Sequence, residues 1–539
     1  TPNSAERRYQ KTLSKNFTLY ADYKKNFNDR HDLSVMVGTS HESENYDRFT
    51  AKRINFDQQE NMSLQLGSAQ DQNAWSEGNQ WTINSFFSRV NYTFANKYVI
   101  EGTIRADGSS RFDPDHRWGW FPGVNAAWRV GEEGFMKRLG WFEDLKVRAS
   151  YGEMGNQSGI GLYDYIQLIS LSNDYYPFGA GVKGQMATSG NIISTSRTWE
   201  TIQTTNVGFD FSTLNNRLYG SFDYFWKENK NMLIPKTYPS MLGADAPSTN
   251  SGHLSIHGWE ISLGWRDQIK DFSYSVRFNI SDAKNKVVDR VGSNLIKLGN
   301  NETPTGYPLN SYFGYEFDGI IQNEQELEAY KSRFSEGGIP GDLSVGDAMY
   351  KDLDGDGKLS VLGDGKEGSG DVKYLGDKNP RYNFGFNLSM AWKGFDLSAF
   401  IQGVGRRTMF LEGESRCPMP EAWYQSAEYW YGKTWTPERT DAQYPAITLK
   451  DKRNYNYYVS TNTKFNVAYA RLKNLQFGYT IPQTLTSKAG LQKVRVYFSG
   501  EDLFEVHNTP NGWDPEENSG SITSYPFTRN YSFGINVVF

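Results

Sequence analysis

The chain closes on NYSFGINVVF, residues 530–539. Tyr531, Phe533, Ile535, Val537 and Phe539 fall on odd positions, and Asn530, Ser532, Gly534, Asn536 and Val538 on even ones. A period of two is that of a β-strand, with one apolar face and one mostly polar face. Domain ends in water are usually loose and polar, whereas this one stops on a bare Phe. The alternation recurs in LYGSFDYFW (218–226), DFSYSVRFNI (271–280) and FGFNLSMAW (384–392).

About fifteen such strands are expected, at 13–25, 31–44, 82–95, 98–109, 118–130, 145–156, 200–213, 216–230, 254–267, 271–285, 380–393, 395–408, 467–481, 492–505 and 526–539. Their connections alternate in length. Short ones fall at 25–30, 94–97, 213–217, 266–271 and 393–394, and 132–144 reads as a turn with a short helix. Long ones cover 45–81, 157–199, 231–253, 286–379, 409–466 and 506–525. Short turns at one end and long loops at the other are the layout of an all-β, transmembrane antiparallel barrel, with lipid on the apolar stripe and a polar lumen. A soluble propeller or sandwich would show shorter strands or a fixed repeat.

Composition fits this reading. Only 37% of the 539 residues are hydrophobic, yet 15% are aromatic, which separates the chain from disordered sequences. Mean hydropathy is −0.67, and no apolar run is long enough for a transmembrane helix. A net charge of −5, without a basic cluster, argues against nucleic acid as a partner. Cys417 is the only cysteine, which excludes an intrachain disulfide. With a periplasmic C-terminus, every short connection falls in the periplasm, every long loop outside, and Thr1 is extracellular. A closed antiparallel barrel needs an even strand count, so fifteen strands imply that further strands complete it.

RADGSSRFDPDHRWGWFPGVNAAWRVGEEGFMK (105–137), LKVRASYGEMGNQ (145–157), SYFGYEFDGIIQN (311–323), YKDLDGDGKLS (350–360) and GDKNPRYNFGFNLSMAWKGFDLSAFIQG (376–403) together resemble SusC/RagA-type TonB-dependent outer-membrane transporters of Bacteroidetes. The resemblance covers nearly the whole chain. It implies a 22-stranded barrel with an N-terminal plug and a TonB box, energised through TonB–ExbB–ExbD and covered by a SusD-like surface lipoprotein. No plug or TonB box is visible in residues 1–539. The expectation is the C-terminal part of such a barrel, with plug and first strands supplied by a second chain or another segment. The implied function is uptake of a bulky nutrient, an oligosaccharide or alternatively a peptide. A passive porin or adhesin is the rival class.

DLDGDGKLS (352–360) carries the sharpest local chemistry. Asp352, Asp354 and Asp356 match positions 1, 3 and 5 of a calcium loop, Gly357 the turn position and Lys358 the backbone-carbonyl position. Position 12 is Gly363, and Asp364 one residue later is the candidate closing acid. The alternative is an Asp/Gly-rich solvated turn. His253 and His257 lie four residues apart at the start of a strand, about 13 Å when extended, too far to share a metal. No nucleophile elbow, P-loop or HExxH motif is present, so no enzyme activity is expected. Trp423, Tyr424, Tyr429, Trp430, Tyr431 and Trp435 crowd the loop 420–439. They are candidates for substrate or lid contact, or for packing that stiffens the loop. By resemblance to outer-membrane proteins generally, terminal Phe539 is the barrel-assembly signal.

Overall fold

The computed structural model describes all residues except 1–2, 58–59, 61, 71, 173–176, 179–181, 184–185, 190–191, 236–246, 291–297, 300–302, 363–369, 421–424, 449–450, 518–519, 521–524 and 526. Fifteen strands form one antiparallel sheet in chain order. They are β1 (Ser4–Phe27), β2 (His31–Ile54), β3 (Gln72–Phe94), β4 (Tyr98–Ser109), β5 (Trp118–Trp128), β6 (Asp144–Asn156), β7 (Glu200–Thr213), β8 (Leu218–Pro235), β9 (Ser248–Ile269), β10 (Phe272–Asp289), β11 (Arg381–Trp392), β12 (Phe395–Arg406), β13 (Tyr469–Ile481), β14 (Lys493–His507) and β15 (Asn530–Val538). All fifteen expected strands are present, and the edge strands are β1 and β15. The chain divides into two compact units, one of 1–129, 148–206 and 227–253, the other of 130–147, 207–226 and 254–539.

In the first unit, β5 shows how the two faces are used. Trp118, Trp120, Val124 and Trp128 are exposed on one face, while Phe121 on the other is buried. Phe86, Val90 and Phe94 on β3, and Tyr98, Ile100 and Ile104 on the adjacent β4, are exposed in the same way. Tyr98 pairs with Trp128 in the ladder and stacks on it at 6.3 Å, and Phe86 stacks on Trp118 at 5.9 Å. Trp118 and Trp128 are ten residues apart, about 34 Å along a strand. At a tilt near 45° this projects to about 24 Å, the height of an apolar barrel band between its aromatic girdles. The opposite face is polar and internally bonded. Asn91 and Asn125 donate to the two oxygens of Glu101 at 3.2 and 3.1 Å, and Arg105 donates to Asp107 at 2.7 Å and to Ser85 at 2.8 Å. At the short turn after β3, Ala95 and Asn96 both take positive φ, 52° and 56°, the geometry that matches strand twist in tight hairpins.

Strands β1 to β3 are longer than expected, at 24, 24 and 23 residues. About 10 residues suffice to cross a bilayer, so these strands continue well past it. Residues 45–54 and 72–81, expected in the long loop 45–81, are strand. Their alternation is hidden because polar and charged residues interrupt the apolar ones on both faces, as where Arg48 pairs with Glu77 at 2.5 Å. Strands β8, β9 and β10 likewise extend into the loops expected at 231–253 and 286–379.

The buried core of the second unit lies in its loops. The expected loops 286–379 and 409–466 are not separate, because their described residues pack as one body. Ser311–Tyr315 pairs with Val372–Asp377, Phe317–Ile320 with Ala348–Tyr350, and Thr408–Phe410 with Lys464–Asn466. A helix, Glu324–Arg333, starts where the Asn323 side chain accepts from the Glu326 N–H at 2.9 Å, a cap for an otherwise orphaned donor. Its Leu327 and Tyr330 join Tyr315, Ile321, Phe334, Leu343, Tyr350, Leu359 and Tyr455 in a buried cluster. Tyr455 comes from the second loop. Its hydroxyl lies 2.7 Å from that of Tyr330, which accepts from the Tyr350 N–H at 2.9 Å, and the Tyr350 hydroxyl donates to the Tyr455 carbonyl at 2.8 Å. Burial pushes all three phenols above their ordinary range.

Two outcomes follow. Val124→Arg places a charge midway between the girdles and costs about 2–4 kcal/mol of membrane-embedded stability, measured by denaturant titration in vesicles, whereas Asn125→Arg, on the polar face, is far milder. Tyr330→Phe removes the acceptor of a buried amide and costs about 1–3 kcal/mol. Hydrogen exchange reads this as faster exchange at Tyr350, and unchanged protection there contradicts the arrangement.

Candidate functional site

The acidic loop packs against the end of helix Glu324–Arg333. The Glu336 N–H donates to the Gly357 carbonyl at 3.0 Å, and the Leu359 N–H to that of Gly337 at 3.1 Å. Leu359 is buried in the loop core. Asp352, Asp354 and Asp356 bring carboxylate oxygens within 4.8 Å of one another, the one such potential metal-holding group among the described residues. The loop curls because these carboxylates accept from its own backbone. Asp352 takes the N–H groups of Gly355 and Gly357 at 2.7 and 3.0 Å, Asp354 that of Asp356 at 3.2 Å, and Asp356 that of Lys358 at 2.8 Å. Gly355 and Gly357 both sit at φ +76°, which side-chain-bearing residues rarely adopt. Desolvation holds the Asp354 carboxyl above its ordinary range, and the charges of Asp356 and Asp352 add to this against a backbone hydrogen bond from Asp356. Three crowded carboxylates of this kind are what a hard cation with oxygen ligands relieves. Asp364 and Gly363 lie outside the described residues.

One residue of this site has no local sequence signal. Asp371 is fully buried, and its two oxygens accept from the N–H groups of Leu353 at 2.6 Å and Ser360 at 2.7 Å. It ties the two ends of the acidic loop together. Burial pushes its pKa up, and the same two hydrogen bonds oppose that shift.

The aromatic loop divides into core and surface. Trp430 is 3% exposed, within a cluster of Met409, Leu411, Cys417, Tyr444, Tyr457, Val467 and Trp513. Its ring is enclosed, so Trp430 is corrected from a contact candidate to a core residue. Tyr429 packs beside it with its hydroxyl 2.6 Å from that of Tyr444 and the Lys433 ammonium 3.5 Å above its ring; burial lowers the Lys433 pKa. Trp435 is half-buried and donates to the Gln322 side chain at 3.1 Å, which links the two loops. Tyr431 is 89% exposed, a flat face open to a ligand or a partner. Trp423 and Tyr424 lie outside the described residues. Phe539 is exposed beyond the last pair of the β14–β15 ladder, Lys493 with Val538.

A buried cation, also unforeseen, anchors the connection after β14. Arg471 on β13 is 1% exposed in its side chain and meets Glu505 at 2.6 Å, Asp514 at 2.6 Å and Glu516 at 3.0 Å. The Phe527 ring stacks 4.2 Å from its guanidinium. His253 and His257 both lie on β9, and His253 pairs with Glu228 of β8 at 2.5 Å.

The chain is similar to proteins of one kind. Residues 1–503 match the family described as TonB dependent receptor-like, beta-barrel. "TonB-dependent receptor P3" of Formosa agariphila is 31% identical over 98% of this chain and 52% of its own length. "TonB-dependent receptor SusC" of Bacteroides thetaiotaomicron is 27% identical over 98% of this chain and 50% of its own. Among solved structures, the RagAB peptide importer in its "closed-closed" state superposes with a TM-score of 0.81 at 24% identity, over 99% of this chain and 56% of that one. The chain thus spans about half the length of the curated relatives it matches. The outward apolar band, the polar inner face and the folded loops belong to a known architecture, and the chain is a member of the TonB-dependent receptor β-barrel family, of SusC/RagA type.

Proposed function

We propose that this chain forms the membrane-spanning sheet and loop body of an outer-membrane importer for a bulky polar nutrient, an oligosaccharide. In this reading the C-terminus is periplasmic and the loop body extracellular. A SusD-like lipoprotein covers the substrate, and TonB–ExbB–ExbD supplies the energy through a plug outside residues 1–539. Strands from another segment or a second chain close the sheet between β1 and β15, since lipid tolerates no open edge. No covalent chemistry is involved.

Family membership carries the reading of an importer. The polar face supports an uncharged solute. Several of its charges pair with one another, as Arg105 with Asp107 in the first unit, and Arg495 with Asp396 and Lys146 with Asp210 in the second. The accompanying amide side chains, such as Asn91 and Asn125, match the hydroxyls of a sugar. Purification from outer membranes in detergent, with mass spectrometry of proteins and bound solutes, tests this. The expected result is a co-purifying surface lipoprotein and a bound oligosaccharide. A bound peptide replaces the substrate class. Purification without a lipoprotein, with steady conductance in planar bilayers, overturns the importer.

We further propose that Asp352, Asp354, Asp356 and the Lys358 carbonyl hold a structural Ca²⁺, with Asp364 as the expected closing acid. Carboxylates at this spacing suit calcium, and magnesium demands a more regular cage. Bound calcium neutralises the acid cluster and locks the loop onto the core. At a hundredfold excess over its dissociation constant it stabilises the loop body by about 2.7 kcal/mol. Calcium addition is therefore expected to raise the loop body's thermal midpoint, an effect that Asp354→Asn greatly weakens and magnesium fails to reproduce. An equal response in the variant contradicts the assignment.

A further inference from the structure

The connection between β5 and β6 is the one short connection expected to hold a helix, and it is built unlike its polar counterparts at 28–30 and 95–97. Helix Gly134–Leu139 ends at Gly140, which takes φ +64° and donates to the Met136 carbonyl at 3.2 Å. Phe135 and Leu139, one turn apart, share a helix face. Both are exposed, as are Trp141 just beyond the helix, at 67%, and Leu214 in the neighbouring turn.

This display is held in place. Val130 and Gly131 are buried beneath the helix, and a Cβ at Gly131 would lie 2.8 Å from the Leu145 nitrogen. The Trp141 carbonyl accepts from the Thr213 hydroxyl at 2.5 Å. The Glu143 N–H donates to the Ser212 carbonyl at 2.9 Å, and its carboxylate accepts from the Asn215 N–H at 2.7 Å. The charged neighbours fold back onto the connection: Lys137 pairs with Glu132 at 2.6 Å, and Arg138 donates to the Gly134 carbonyl at 3.3 Å. The rings and aliphatics are thus displayed beside Lys137 and Arg138, which stay exposed and suit a headgroup layer.

That surface is continuous with the outward face of β7. Phe142 packs edge-on against Phe211 at 6.4 Å, Phe211 lies 6.2 Å from Phe209, and Val207 and Phe209 are exposed on the same alternation. Contiguous exposed apolar surface marks a contact site, and Trp beside aliphatics at the rim of an apolar band suits the headgroup level. We propose that residues 134–142, with Leu214, form an interfacial foot seated in the headgroup–acyl boundary of the leaflet facing the short turns. The occupant is phospholipid, and the foot fixes how deeply the second unit sits. This goes beyond the transport reading and depends only on the outward face meeting lipid.

Cys417 is buried and does not compete for labelling, so single cysteines are placed at Leu139→Cys, Trp141→Cys and, as an exposed reference at the end of β9 beside another short turn, Gln268→Cys. The intact protein is labelled with an environment-sensitive fluorophore and reconstituted in phosphatidylethanolamine/phosphatidylglycerol vesicles. Quenching by shallow spin-labelled lipid is compared with quenching by iodide. Positions 139 and 141 are expected to be quenched several-fold more by the lipid than by iodide, with the reverse at 268. Iodide quenching at 139 and 141 equal to that at 268 overturns the proposal. Shielding from both quenchers also overturns it, because a protein then covers the site.

Discussion

Every backbone N–H and C=O that lies in hydrocarbon must find its partner inside the sheet. The rest of the structure depends on this constraint. It forces long antiparallel strands joined by tight turns, and it leaves the side chains only two faces. On β5 the outward face carries Trp118, Trp120, Val124 and Trp128, and the inward face carries Phe121 and Asn125. The hydrophobic effect then works between protein and lipid as well as inside the protein. This is why a chain of low mean hydropathy exposes so many large apolar side chains.

Outside the membrane the demands are the ordinary ones. The loops must bury apolar area to repay the entropy of ordering, and they do so by pooling residues from two long connections. Neither connection holds the Tyr330–Tyr350–Tyr455 network alone. Charged groups then fix the edges of the loops. Arg471 draws Asp514 and Glu516 to the start of β13, and Asp371 closes the base of the acidic loop. Burying such a cation is favourable only when its partners are in place, so the connection after β14 and the strand end order together. The acidic loop and the exposed ring of Tyr431 are therefore presented on a packed body.

The sheet was legible in the sequence because lipid on one side and water on the other impose period two on apolar residues. The rule fails where water lies on both faces. The parts of β2 and β3 at 45–54 and 72–81 carry only scattered apolar residues, such as Phe49 and Trp75, among charged ones such as Arg48 and Glu77, and so read as loop. The acidic triad was legible because its spacing in the sequence is local. Asp371 was not, since it reaches the triad's loop only through the fold. Trp430 looked like its neighbour Tyr431 in sequence, but one ring is enclosed and the other open. That difference is set by Tyr444, Tyr457 and Trp513, which come from distant positions. The run NYNYY at 454–458 was the missed signal: so dense an aromatic cluster in a polar loop marks buried packing.

The central claim is that one face of these strands meets lipid and the other a wet, hydrogen-bonded interior. The most direct measurement is an electron paramagnetic resonance scan of spin labels placed one at a time from 118 to 128 in the membrane-embedded protein. The account predicts that accessibility to oxygen, which concentrates in lipid, and to a polar nickel complex oscillate out of phase with a period of two. Oxygen accessibility should peak at 120, 122, 124 and 126. Uniform accessibility, or a peak at 121, 123 and 125, would contradict it.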